Sequence, residues 1–87
     1  MTEEHIVSTV SRFVAKNFLF DETKAIDPRT SLLGSGILDS TGILELIAFL
    51  EDSFELKFRD EELVAENFDS IENIRRFLAP KLSSLVS

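Results

Sequence analysis

A chain of 87 residues, 44% hydrophobic and 29% charged, is long enough for one small domain with a core and too apolar for a disordered tail. It has no cysteine, which excludes disulfides and thiolate metal sites, and its one histidine leaves a transition-metal site to rest on carboxylates. A net charge of −7 argues against nucleic acid or an anionic membrane as partner and for basic protein surfaces.

The start, M-T-E-E-H, is acidic and has no continuous apolar core, and no apolar run reaches the length of a membrane span. A cytoplasmic setting is therefore expected. Thr2 is placed to cap a first helix over residues 3–18, where Ile6, Val7, Val10, Phe13, Val14 and Phe18 keep helical spacing. His5 sits on an early turn of that helix and reads as a surface residue rather than a base or ligand. Periodicity then fades from Leu19 to Leu38. Asp27-Pro28, Gly34 and Gly36 mark a connection of about 20 residues, long enough to be functional or packed down by its own side chains. Leu32, Leu33, Ile37 and Leu38 are positioned to do that packing and to order the loop at its end.

The next stretch, G-I-L-D-S-T-G-I-L-E-L-I-A-F-L-E-D-S-F, is the most regular in the chain. Asp39 is a favoured N-cap, so a helix is expected to begin at Ser40. Ile43, Leu46, Ile47, Leu50 and Phe54 share one face at spacings of three and four, the core side. Thr41, Leu44, Glu45, Ala48, Asp52 and Glu55 share the other, with Glu51 at its margin. Ser40 falls near the boundary, its hydroxyl reachable from outside. Free N–H groups and the positive end of the helix dipole favour an attached phosphate there. Asp-Ser before an apolar run is also simply a common helix start.

Charge follows the same helix. Residues 39–62 hold eight acids against Lys57 and Arg59, whereas residues 1–38 hold five acids and four bases and residues 63–87 three of each. A solvated helix face is the plain reading of such a run; a face for basic partners is the sharper one. Phe54, Leu56 and Phe58 then alternate with Glu55 and Lys57, without a second strand to pair with, and read as an extended link docking its phenylalanines. Asp60 to Val64 reads as a short helix capped by Asp60, followed by a turn at A-E-N-F. Asp69 and Glu72 have capping-box spacing before a last helix with Ile71, Ile74, Phe77 and Leu78 on its apolar side. Pro80 is expected to end or kink it, and S-S-L-V-S to fray. The expected architecture is all-α: a four-helix bundle with a long first loop and a short third helix, as one domain over residues 1–87.

The stretch L-L-G-S-G-I-L-D-S-T-G-I-L-E-L-I-A-F-L-E-D-S-F-E-L, with D-E-E-L and E-N-F-D-S-I-E-N-I after it, resembles the acyl and peptidyl (aminoacyl) carrier proteins over about residues 5–80. The resemblance implies a bundle of carrier-protein type. It also implies a 4′-phosphopantetheine arm on Ser40, donated from coenzyme A by a phosphopantetheinyl transferase, whose thiol carries an acyl or aminoacyl group as a thioester. Asp39 matches the acidic residue before the modified serine. Thr41, Leu44, Glu45, Ala48, Glu51 and Asp52 match the face shown to partner enzymes, and Glu55 extends it. Departures are Thr41, where the motif usually has leucine, and Gly42, which costs a helix up to about 1 kcal/mol relative to alanine and is expected to loosen the serine's surroundings.

The pattern is closest to free-standing carriers that load amino acids or specialised acyl groups in natural-product pathways of nonribosomal-peptide or polyketide type. Type II fatty-acid carriers, the alternative, read more acidic after the serine. Expected partners are the transferase, a loading enzyme of adenylation or ligase type and processing enzymes with basic patches, around a monomeric carrier. A different class, an unmodified helical adaptor for a basic partner, would need neither Ser40 nor Asp39. A Ser-His-Asp hydrolase would need Ser40 with His5, yet no G-x-S-x-G elbow exists, so no catalytic and no metal residue is assigned.

Overall fold

The computed structural model describes residues 3–21 and 23–86, with side chains as far as Leu82. It is all-helical: α1 (Glu3–Phe18), α2 (Ser40–Ser53), α3 (Ala65–Phe68) and α4 (Ile71–Val86), with one 3-10 turn at Asp60–Glu62 and no strand among the described residues. Helix α1 matches its expected span, while Thr2, its expected cap, lies outside the described residues.

The core forms where the apolar stripes of all four helices meet. Ile6, Val10 and Val14 of α1, Leu46 and Leu50 of α2, Phe68 of α3 and Ile71, Ile74 and Leu78 of α4 are fully buried. Val7, Phe13, Phe18 and Ile47, expected on core faces, are half-buried and pack around its rim. Polar contacts tie α1 to α4: Arg75 donates to Glu72 at 2.8 and 2.7 Å and reaches Glu3 with its remaining nitrogen. The hydrogen bonds from Arg75 hold the Glu72 carboxyl below its ordinary value.

The long loop is not slack. Leu32 and Leu38 are buried, Leu33 and Ile37 half-buried, as their placement implied. What fixes the loop, though, is Asp69. Its carboxylate accepts from Ser31 Oγ at 2.9 Å and from the Leu33 N–H at 3.0 Å, while its carbonyl accepts from Leu32. The Glu72 N–H adds a bond to the Pro28 carbonyl at 2.8 Å. The loop is thus stapled to the start of α4.

Four local expectations are corrected. The short third helix lies at Ala65–Phe68, where a turn was expected, and Asp60–Glu62 makes only a 3-10 turn. Burial of Phe68, against Phe58 and Phe77 at 5.4 and 5.5 Å, draws the A-E-N-F segment into helix. Asp60 is not the cap of the 3-10 turn; Arg59 stands there, its N–H given to the Glu62 carboxylate at 2.8 Å. At α4 the cap is Ser70, whose Oγ accepts from Asn73 N–H at 3.0 Å; Asp69 is committed to the loop. Finally, α4 continues through Pro80 to Val86 rather than ending at the proline, with Ser87 outside the described residues. Leu78 and Leu82 are both buried while Pro80 is exposed, so packing on either side outweighs about 3 kcal/mol of proline penalty.

Between α2 and the 3-10 turn, Phe54 and Glu55 form a turn where an extended link was expected to begin, and residues 56–59 are in neither helix nor strand. Phe54 is buried and Leu56 and Phe58 half-buried. Two residues pass through the left-handed region without being glycine: Glu55 (φ 53°) and Phe20 (φ 58°). Glu55 ends α2 in a Schellman arrangement, with the Leu56 N–H on the Glu51 carbonyl at 3.1 Å.

Candidate functional site

Helix α2 begins where its cap residue dictates. Asp39 is extended (φ −107°, ψ −172°), and its Oδ1 accepts the Gly42 N–H at 2.7 Å while its carbonyl accepts from Ile43 at 3.0 Å. Ser40 is therefore the first helical residue, and it is exposed. No acid lies in the first turn itself. The remaining N–H groups of that turn have no partner inside the helix, so they and the dipole favour an anion beside Ser40.

Gly42 does the reverse of loosening this turn. It is buried, and a β-carbon there would lie 3.0 Å from the Phe18 ring and 3.2 Å from Leu38 Cδ2. Glycine lets the end of α1 and the end of the loop close on the first turn of α2. Behind it, Gly36 turns the loop at φ 83°, and the Leu38 N–H returns to Leu32 O at 2.9 Å. A depression of about 270 Å³ opens beside the serine, walled by Phe18, Ile37, Thr41 and Glu45.

The outer face of α2 emerges largely as expected. Thr41, Leu44, Glu45, Ala48, Asp52 and Glu55 are exposed, and Leu44, at 67%, stands as an apolar point among the acids. Glu51 is half-buried, with one carboxylate oxygen accepting the Phe58 N–H at 3.0 Å. Beyond this face runs a groove of about 830 Å³ between Asp52, Glu55 and Lys81.

His5 is exposed, its ring edge-on to Phe54 at 6.3 Å. Phe54 lies fourteen residues beyond Ser40, about 21 Å along the axis at about 1.5 Å per residue. That separation puts His5 out of reach as a base for Ser40. Among the described residues no group of three His, Asp or Glu side chains could hold a metal, and no helix is long and apolar enough to cross a membrane.

Sequence reasoning placed Ser40, Asp39 and the outer face correctly in space but missed Asp69, Gly42 and Phe18 as the parts that position them. Asp69 and Ser31 are 38 residues apart, and nothing local in the chain marks that pairing. Phe18 carried a signal as a core residue, though none for its contact with the serine's turn.

No family model matches the chain, and no curated protein matches it either. Among solved structures it is similar to a chain in the crystal structure of Bradyrhizobium japonicum glycine:[carrier protein] ligase complexed with glycylated carrier protein, at 26% identity and a TM-score of 0.64. The match covers 85% of this chain and 95% of that one, so the two are close in length and the counterpart is the carrier rather than the ligase. The chain shares its fold with a protein that is acted on by an enzyme and is not one itself.

Proposed function

We propose that this protein is a carrier whose Ser40 bears a 4′-phosphopantetheine arm, and that the arm holds an acyl or aminoacyl group. One observation carries the reading: an exposed serine at the first position of a capped helix, behind a loop tied to Asp69, with an acidic face alongside. The donor set fits an attached phosphodiester. Asp39 uses the Gly42 N–H, leaving the other N–H groups of the first turn and the dipole for the anion. In the transfer, Ser40 Oγ attacks the pantetheine-side phosphorus of coenzyme A and gives its proton to a base of the transferase, as the pyrophosphate bond breaks and 3′,5′-adenosine diphosphate leaves. Once attached, the arm supplies the thiol this cysteine-free chain lacks.

Leu44, Glu45, Ala48, Asp52 and Glu55 present an acidic, partly apolar face to the transferase, to a loading enzyme of adenylation or ligase type, and to processing enzymes with basic patches. Surface ion pairs contribute only about 0–1 kcal/mol each, so docking is brief and salt-sensitive, as shuttling requires. Between an aminoacyl or specialised-acyl carrier of natural-product type and a fatty-acid carrier, the likeness to a glycylated carrier supports the former. A cytoplasmic, monomeric protein accords with this role.

Incubation with coenzyme A and a broad-specificity phosphopantetheinyl transferase tests the reading by intact mass. A gain of one phosphopantetheine group, absent in Ser40→Ala, is expected. No gain favours the unmodified adaptor, for which the same acidic face suffices.

A further inference from the structure

The proposed docking face is acidic, yet the molecule has a second surface of opposite sign. Between α1 and α2 lies a groove of about 430 Å³ lined by Ser8, Thr9, Arg12, Phe13, Lys16 and Phe49, among others, with no carboxylate in its walls among the described residues. Arg12 and Lys16 are one helical turn apart and exposed, and neither makes an ion pair among the described residues, although the chain carries 16 acids.

The floor is aromatic and already built. Phe13 and Phe49 stack at 3.9 Å and 17°, both half-buried, and Phe18 meets the Phe13 ring edge-on at 6.0 Å. Flat rings fixed on two helices lose little entropy when covered, and two cations beside them set the sign of what covers them. Core packing explains the stack but not the two cations beside it, which make no ion pair among the described residues.

We propose that this groove is a second protein-docking site, taking an acidic partner segment that lays an aromatic or aliphatic anchor over Phe13 and Phe49 and sets carboxylates against Arg12 and Lys16. Charge complementarity selects that occupant. Basic patches go to the outer face of α2 and are repelled here; acidic segments are repelled there and held here. One partner can therefore stay bound through α1 while the enzymes that visit α2 exchange. The site stands whether or not Ser40 is modified.

The test is an amide-shift titration of the ¹⁵N-labelled full chain with a synthetic amphipathic peptide bearing glutamates beside a phenylalanine face, and with its lysine-for-glutamate counterpart. The acidic peptide is expected to move the amides of residues 8–17 and of Phe49, and the lysine peptide those around Glu45 and Asp52. Arg12→Glu with Lys16→Glu, both on exposed positions, is expected to weaken the acidic peptide about tenfold, the worth of two surface ion pairs. Ser40→Ala leaves that affinity unchanged. The proposal is overturned if the acidic peptide binds nothing, if it shifts only α2, or if the charge-reversed variant binds it equally. Sedimentation that shows concentration-dependent self-association abolished by Glu45→Lys would assign the groove to a second copy, and overturn it too.

Discussion

The two ends of α2 are closed in opposite ways. At the serine end, the cap is a favoured residue in relaxed extended backbone, and the loop before it is stapled by Asp69 to the start of α4. At the far end the chain turns through Glu55 at φ 53°, where an L side chain is strained, and leaves the helix without a side-chain cap. Fixity is invested at the end that holds Ser40. Strain is tolerated where the helix has only to stop.

Removing the staple breaks this contrast most. Asp69→Ala leaves Ser31 Oγ and the Leu33 N–H without their charged acceptor, and urea unfolding is expected to show a loss of about 3 kcal/mol. The serine's loop should then exchange its amides faster than the Glu55 turn does. If the loss were no larger than for an ordinary surface carboxylate, the loop would owe its order to its leucines alone.

Next in size is the reversal of the docking charges. Glu45→Lys with Asp52→Lys is expected to slow loading about tenfold with helicity intact by circular dichroism, since two surface attractions become repulsions. An unchanged loading rate at low salt would show that partners approach from elsewhere.

Gly42→Ala sharpens the account of the serine end. Alanine would gain helix propensity of up to about 1 kcal/mol. Its methyl would also crowd Phe18 at 3.0 Å and Leu38 at 3.2 Å, an overpacking penalty of about 1–3 kcal/mol. A net loss near ~1 kcal/mol in urea unfolding is expected; a stabilised protein would mean the closure is looser than drawn. The smallest effect belongs to the far end. Glu55→Gly relieves the left-handed strain and is expected to raise stability by less than about 1 kcal/mol.

The same contrast explains what the chain disclosed in advance. Asp39 next to Ser40, with Ile43, Leu46 and Leu50 behind, is a local pattern, so the start, cap and buried face of α2 were all legible. Helix α1 was readable for the same reason. The segment from Asp60 to Ser70 was not, because its helix is set by burial of a single ring, Phe68, rather than by a repeating stripe. Asp69 had the look of a cap, and only the folded loop reveals Ser31 and Leu33 as its partners. Pro80 does not end α4: proline's local cost is visible in sequence, whereas the packing of Leu78 and Leu82 that carries the helix past it is not.

Mapping the modification by peptide mass spectrometry after treatment with coenzyme A and transferase tests the central claim most directly. The account predicts one phosphopantetheine group on the peptide containing Ser40, retained in Thr41→Ala and lost in Ser40→Ala. Failure to acquire the group, or its acquisition by Ser40→Ala at another residue, would contradict it.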